Sequence, residues 1–108
     1  MISILKPCQR EIATFPEEIR GDLADALARL DAGLAPSMPL SRPMPEVAVG
    51  VEELRIRDEA GIYRTFYFKK SERGILIPHA FVKKTQKTPK HEIALARRRL
   101  KEMWDEED

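Results

Sequence analysis

Cysteine is nearly absent from this chain of 108 residues, in which Cys8 is the only thiol. A single thiol cannot close an internal disulfide and gives no basis for a cysteine metal site. This usage is typical of the reducing cytoplasm, where we expect the protein to act. Long apolar runs are also absent, since the amino-terminal run MISIL ends at Lys6 and Pro7, too early for a signal peptide. No run approaches the roughly 20 residues of a membrane span, so we expect no membrane partner.

Signatures of common enzyme classes are missing as well. The sequence has no glycine-rich phosphate loop and no nucleophile elbow. Its two histidines, His79 and His91, are too few and too far apart to indicate a metal site. The sequence therefore predicts no metal and no cofactor. With 43% hydrophobic and 34% charged residues, residues 1–108 are expected to form a single globular domain.

Positive and negative charges nearly balance over the whole chain, but not within its parts. The formal net charge is only +1, yet residues 51–101 carry 14 Lys or Arg against 6 Asp or Glu, a net of +8. Residues 1–50 are mildly acidic, and the last seven residues carry five acids and no base. A basic half of this kind favours a polyanion partner, although lysine and arginine also serve solubility.

The first third of the chain favours helices. In FPEEIRGDLADALARLDAG, Pro16 is expected at the first helical position and two glutamates follow in the first turn, where the helix dipole favours acids. Gly33 is a suitable stop, and a shorter helix is expected around residues 8–15. The four prolines between Pro36 and Pro45 predict an irregular loop without a helix or central strand. The apolar residues of the long helix recur at spacings of three and four: Ile19, Leu23, Leu27, Leu30 and Leu34.

The pattern changes to strands from Val51 onward. VEELRIRD, IYRTFYFKK and ILIPHAFVKK are separated by the short turns DEAG and SERG, which predicts an antiparallel meander. Pro78 cannot donate a ladder hydrogen bond, so it implies a bulge or an edge. Thr88 and Pro89 predict the start of a last helix with an apolar face. The expected fold class is α+β, with two amino-terminal helices, a small antiparallel sheet of about three to four strands and a carboxy-terminal helix.

Basic groups would converge on this sheet. Arg55 and Arg57 share a strand face, and a hairpin would bring Arg64 alongside them. Arginine forks bind phosphate oxygens and stabilise the charge of a pentacoordinate transition state, and histidine exchanges protons near neutral pH. RNA supplies its own nucleophile, the 2′-hydroxyl. The candidate residues beyond the two strands are at the end of the third strand and the start of the last helix: Lys83, Lys84 and His91.

Each candidate also has a structural interpretation. Arg55 and Arg57 could pair with Glu52, Glu53 or Asp58. The run Arg97–Arg99 spreads around a helix and is expected to be mostly solvated. His79 continues the alternation of the third strand, which favours a packed, hydrogen-bonded histidine. The aromatic residues of the strands more often belong to a sheet core than to a base-stacking platform: Tyr63, Phe66, Tyr67 and Phe68.

Two segments carry a family resemblance. ELRIRDEAGIYRTFYF and HAFVKKTQKTPKHEIALARRRL, between Glu53 and Leu100, resemble the phage-derived HigB-like toxins within the RelE/ParE superfamily of toxin–antitoxin systems. The resemblance implies a RelE-like fold and a ribosome-dependent endoribonuclease that cuts messenger RNA without metal. It also implies a cognate helix-turn-helix antitoxin as partner. Operator DNA would be contacted by that antitoxin and not by this chain directly.

The resemblance assigns roles by position. It implies that Arg64 contacts the scissile phosphate, that Arg57 supplies a further basic group, and that Lys84 and His91 complete the catalytic set. His91 matches a position where RelE-type enzymes often have tyrosine. Substrate binding is predicted for the remaining basic residues and one aromatic residue: Arg55, Lys83, Lys87, Lys90 and Phe81.

This chain departs from the family pattern in places. The lysine proposed as base in the best-known members falls near Glu53, which leaves the identity of the base open. The opening strand is reduced to MISIL at most, and the acidic tail DEED has no assigned role. Two alternative functions stay open: a ParE-like toxin that inhibits gyrase without cleaving anything, and a degenerate phage or regulatory protein that only binds its partner.

Overall fold

The computed structural model describes residues 1–34, 40–71 and 74–106. The elements are β1 (Ile2–Ile4), α1 (Lys6–Ala13), α2 (Glu17–Asp31), β2 (Leu40–Pro43), β3 (Val51–Asp58), β4 (Gly61–Ser71), β5 (Gly74–Lys83) and α3 (Lys90–Glu106). The α+β class is therefore confirmed. Residues 35–39 of the proline-rich segment, 72–73 of the SERG turn and 107–108 of the acidic tail lie outside the described residues.

The sheet is larger than the sequence predicted, and it is mixed. Five strands lie in the order β1-β5-β4-β3-β2, with β3, β4 and β5 as the expected antiparallel meander. The expected order, two helices before any strand, is wrong, because β1 precedes the helices and pairs in parallel with β5. A further strand, β2, forms within the proline-rich segment and pairs with β3 at the sheet edge, where Pro43 is tolerated.

Helices begin and end where their sequence signals place them, within a few residues. α2 begins at Glu17, directly after Pro16, and buries most of the predicted stripe, whereas Leu34 lies beyond the helix and is exposed. Gly33 follows α2 with φ +82°, the left-handed conformation that glycine adopts without strain. α3 begins at Lys90, one residue after Pro89, and buries Ala96, Leu100 and Met103 on one side.

Pro78 lies at a β-bulge, as the sequence predicted. The register between β4 and β5 pairs Phe66 with His79 but Phe68 with Leu76, so β5 contains one extra residue over this interval. A regular ladder would have required an amide hydrogen at this position, which proline lacks, and the bulge interrupts the ladder there. It also changes the alternation of β5, so that His79 and Phe81 face the same side of the sheet as Leu76.

Two apolar cores cover the two faces of the sheet. One lies beneath α1 and α2 and includes Leu54, Ile56, Tyr63 and Tyr67 from the strands. The other lies beneath α3 and includes residues of β4 and β5, among them Phe66 and Phe81. All four strand aromatics are buried, as the structural interpretation predicted. Because both faces are covered, Glu53 and Arg64 on the α3 face of β3 and β4 are buried too.

Candidate functional site

Three arginines from two neighbouring strands converge on the α3 face of the sheet. Arg55 on β3 pairs directly with Arg64 on β4, and Arg64 pairs with Phe81 on β5. The two arginines and the phenylalanine therefore form one row across the sheet. Arg57 follows two residues after Arg55 on the same face. We refer to Arg55, Arg57 and Arg64 as the arginine cluster.

Glu53 is the carboxylate within the arginine cluster. It is completely buried, and its Oε1 accepts a hydrogen bond from Arg55 Nε over 2.5 Å while Arg64 Nε lies 3.9 Å away. Its Oε2 accepts the hydroxyl of Thr88 over 2.9 Å. A buried charge needs a partner of this kind, since ionised groups away from water are costly when unpaired. Arg55 thus pairs with Glu53, one of the three carboxylates considered for it, but the pair lies along one strand and not across two.

Arg64 is the most deeply placed member of the cluster, with 0% of its surface exposed. Its Nη2 donates to the main-chain oxygens of Thr85 over 2.5 Å and of Gln86 over 2.7 Å. Its Nε and Nη1 have no hydrogen-bond partner within the described part of the chain. Burial, and after it the positive charge of Arg55, lower the pKa of Arg64, and Glu53 only partly opposes them. The site therefore holds positive charge that a single carboxylate does not balance.

The same loop binds the other two arginines. Arg55 Nη2 donates to the main-chain oxygen of Gln86 over 2.9 Å, and Arg57 Nη2 lies 3.3 Å from the side-chain oxygen of Gln86. The segment between β5 and α3 thus lies directly over the arginine cluster. Arg57 itself is exposed, whereas Arg55 is partly buried.

Aromatic rings pack beneath the guanidinium group of Arg64. The Phe81 ring centroid lies 5.8 Å from the guanidinium carbon of Arg64, a cation–π arrangement. Phe81 also stacks against His79, with centroids 5.3 Å apart. Because Phe81 is buried in the α3 core, its visible role is to support Arg64 from below.

A second polar group lies where α3 begins. His79 Nδ1 accepts a hydrogen bond from Arg99 over 2.8 Å, so its Nε2 carries the proton that is donated to Glu92 Oε1 over 2.7 Å. His79 is therefore a packed, hydrogen-bonded histidine, as predicted. The other oxygen of Glu92 lies 3.4 Å from His91 Nε2 and 4.0 Å from Lys83 Nζ. His91 is 72% exposed, so it stands at the surface beside a fixed carboxylate.

The structure thus divides the predicted site residues into three sets. The arginines of the cluster all hydrogen-bond to Gln86, with Phe81 beside Arg64, and Lys83 and His91 lie near Glu92. The other three lysines are exposed on the connecting loop and the first residue of α3: Lys84, Lys87 and Lys90. Among residues 1–34, 40–71 and 74–106, no group of three histidine, cysteine or carboxylate side chains is placed to hold a metal ion.

Sequence reasoning missed two residues of this site, Glu92 and Gln86, and named Glu53 only as a possible ion-pair partner of the arginines. Glu53 shares the two-residue alternation of Arg55 and Arg57, which was a usable signal for a carboxylate on their face. Glu92 directly follows His91 but lies on the buried side of α3. Gln86 contributes mainly through its main-chain oxygen, which has no signature in sequence.

The fold and site define a small α+β domain with a basic surface over a mixed sheet. The family model described as phage-derived protein Gp49-like (DUF891) matches residues 10–101, so the chain belongs to this family of RelE/HigB-like toxins. A search of curated proteins finds no match to this chain. In the described ranges, no helix has both the length and the apolar character needed to cross a membrane.

Proposed function

We propose that this chain is the toxin of a toxin–antitoxin pair, of the HigB-like kind, and that it cleaves messenger RNA on the ribosome. The observation that carries the proposal is the arginine cluster, in which three guanidinium groups meet at one residue, Gln86, with Glu53 as their buried carboxylate. Arginine forks match the oxygens of a phosphodiester, and lysines nearby suit the charge of a nucleic-acid backbone. Membership in a toxin family supports the same conclusion.

The proposed reaction uses the ribose as the source of the nucleophile. The 2′-oxygen attacks the adjacent phosphorus, the O2′–P bond forms and the P–O5′ bond breaks. A base takes the 2′-hydroxyl proton and an acid supplies a proton to the departing 5′-oxygen, which leaves a 2′,3′-cyclic phosphate and a 5′-hydroxyl end. The arginine cluster would stabilise the extra charge on phosphorus, and His91 would transfer a proton.

The exposed lysines would bind RNA, and Lys84 would in addition belong to the catalytic set, as the family resemblance implies. Lys84, Lys87 and Lys90 are exposed on the loop and helix start that lie over and beside the arginine cluster. Contacts of lysine with phosphates position a nucleic acid without reading its sequence, and they weaken as salt rises. We propose that these lysines hold messenger RNA or the surrounding ribosomal RNA. The proposed protein partner is a helix-turn-helix antitoxin, which alone would contact operator DNA.

The test is to express the chain without its antitoxin and to map the 5′ ends of cellular messenger RNA. Growth arrest with new 5′ ends inside translated codons is expected, and those ends should carry a 5′-hydroxyl. Co-expression of the neighbouring antitoxin gene is the control and should restore growth. Arrest with altered DNA supercoiling and intact messenger RNA would instead favour the ParE-like alternative. Normal growth with a folded chain would favour a protein that only binds its partner.

A further inference from the structure

Two consecutive residues, Thr85 and Gln86, accept hydrogen bonds from the side chains of the arginine cluster. We refer to these two residues as the strap. The main-chain oxygens of Thr85 and Gln86 both accept from Arg64 Nη2, over 2.5 Å and 2.7 Å. Gln86 also accepts from Arg55 through its main chain and from Arg57 through its side chain. Three neutral oxygens of the strap therefore accept from three cationic side chains.

Neutral oxygens are an incomplete match for this set of donors. Two nitrogens of Arg64, Nε and Nη1, remain without a hydrogen-bond partner in the described structure although the side chain is fully buried. An unsatisfied buried donor is unfavourable, and charge-assisted bonds to anionic oxygens are stronger than bonds to carbonyls. Beyond the cluster, the positive charge of Arg42 also contributes to lowering the pKa of Arg64. An anion with several oxygens would satisfy this environment better than the strap does.

The strap is also built to be released. It lies between the end of β5 at Lys83 and the start of α3 at Lys90, outside any helix or strand. The side chains of Thr85 and Gln86 are exposed, so no apolar burial anchors them. The nearest anchor after the strap is Thr88, which is buried and bonded to Glu53. Movement of the strap would leave that anchor and both apolar cores in place.

We propose that the strap occupies the position of a substrate phosphate in the free protein and that a phosphate group binds to Arg64 by displacing it. The identity of that phosphate as part of RNA rests on the proposed function. In this state the chain is held closed, since Arg64 reaches a phosphodiester only after Thr85 and Gln86 have moved. The exposed Lys84 and Lys87, which flank the strap, would then attract the same nucleic acid that opens it.

The first experiment uses inorganic phosphate and the whole chain labelled with ¹⁵N. Sodium phosphate is added against sodium chloride at constant ionic strength, so that general screening is unchanged. The proposal predicts a shift of the Arg64 Nε–H signal together with a fall in the ¹⁵N order parameters of the Thr85 and Gln86 amides, from a rigid value of about 0.85 to below about 0.6, because the arginine hydrogen bonds that hold their carbonyl groups are lost. A shifted Arg64 signal with unchanged order parameters of the strap, or no response of either, would overturn it.

The second experiment removes the arginine fork without phosphate. Arg64→Lys keeps the charge but cannot hold both carbonyls in the same geometry, so the order parameters of the strap amides should again fall below about 0.6. Arg97→Lys is the matched control, because Arg97 also donates to two main-chain oxygens, those of Glu46 and Val47, away from the strap. Equal order parameters of the strap in the wild type and in a folded Arg64→Lys protein would contradict the proposal.

The two measurements separate this inference from the proposed function. Both are made on the isolated chain, with neither ribosome nor RNA present. A protein that releases its strap in phosphate but cleaves no messenger RNA would retain the inference and lose the enzymatic proposal. A protein that cleaves messenger RNA while its strap stays fixed under phosphate would do the opposite.

Discussion

Thr88 donates its hydroxyl to Glu53 over 2.9 Å, and this bond ties the end of the loop before α3 to β3. The same carboxylate accepts from Arg55 over 2.5 Å through its other oxygen. Glu53 therefore joins the loop, the sheet and the arginine cluster at one buried point. At the position where the family resemblance expected a catalytic lysine, this chain has a counterion.

Glu53→Gln should destabilise the protein strongly. The amide keeps the size of the carboxylate but leaves Arg55 and Arg64 without the negative charge between them. Removing one partner from a buried charge pair typically costs about 3–5 kcal/mol in the free energy of unfolding. Urea denaturation followed by circular dichroism measures the change. Glu52→Gln is the control, since Glu52 is only partly buried and its Lys69 partner at 3.8 Å is exposed, so about 1 kcal/mol or less is expected there. Similar losses in the two variants would refute the counterion role.

Adjacent arginines in the run Arg97–Arg99 should differ in their contribution to stability. Arg99 donates to Glu11 and to His79, each over 2.8 Å, and so links α3 to α1 and β5, whereas Arg98 is exposed. Arg99→Met should cost about 2–3 kcal/mol because it leaves Glu11 and His79 short of a charged donor. Arg98→Met should change the free energy of unfolding by no more than about 0.5 kcal/mol. Equal unfolding midpoints for the two variants would show that the buried contacts of Arg99 are not needed.

These arginines also mark how far the sequence could predict the structure. Periodicity correctly gave the α2 stripe apart from Leu34, and the meander, because apolar burial determines those features. The helix starts were marked by prolines, which suit the first position of a helix. The bulge at Pro78 was predictable because proline lacks an amide. The run of three arginines was predicted to be mostly solvated, but which of them turns inward depends on Glu11, a residue 88 positions away from Arg99. Pairing at that separation leaves no local pattern.

The missed strands and site residues have similar reasons. β1 has three residues and β2 has four, so neither is long enough to show an alternation. The arginine cluster was predictable from strand alternation, and its residues do meet. Its covering by Thr85 and Gln86 was not, because main-chain oxygens are common to all residues and depend on the path of the loop. The sequence thus indicated the charges of the site but not its closed state.

Gly74→Ala and Gly21→Ala should shift stability in opposite directions. Gly74 has φ +95°, and an added Cβ would lie 2.2 Å from the main-chain oxygen of Met1, which accepts from Ile75 N. The left-handed conformation alone costs alanine about 1–2 kcal/mol, and displacement of β1 adds to it. Gly21 lies within α2 with nothing within 4 Å of an added Cβ, so alanine should stabilise by about 0.5–1 kcal/mol. Thermal unfolding of the two variants tests the pair, and a stabilised Gly74→Ala protein would show that β1 does not pack as described.

Cys8 should be almost inert to thiol reagents in the folded protein. Burial, and secondarily the negative charge of Glu11, raise its pKa from 9.0 to about 12, with Arg99 acting in the opposite direction. At pH 8 a rise of this size lowers the thiolate fraction about 10³-fold, so we expect labelling by a disulfide reagent to be slower by about 100-fold or more than for an exposed thiol. The control is Cys8→Ala with Thr14→Cys, since Thr14 is exposed just after α1. Comparable labelling rates without denaturant would contradict the buried placement.

Arg57→Ala and His91→Ala test the proposed chemistry with little risk to the fold. Both side chains are exposed, and the hydrogen bond from Arg57 to Gln86 is long, at 3.3 Å. If Arg57 stabilises charge on phosphorus, its loss should slow cleavage of ribosome-bound messenger RNA by about 10²–10³-fold. Loss of a proton-transfer group at His91 should slow it by about 10²–10⁴-fold.

The control is Arg98→Ala, a change of another exposed residue on α3, and this variant should cleave at the wild-type rate. Cleavage is measured in a purified translation reaction, and circular dichroism confirms that each variant is folded. Full cleavage by both folded variants would exclude these two residues from the reaction and would leave the enzymatic proposal resting on Arg55, Arg64 and Lys84.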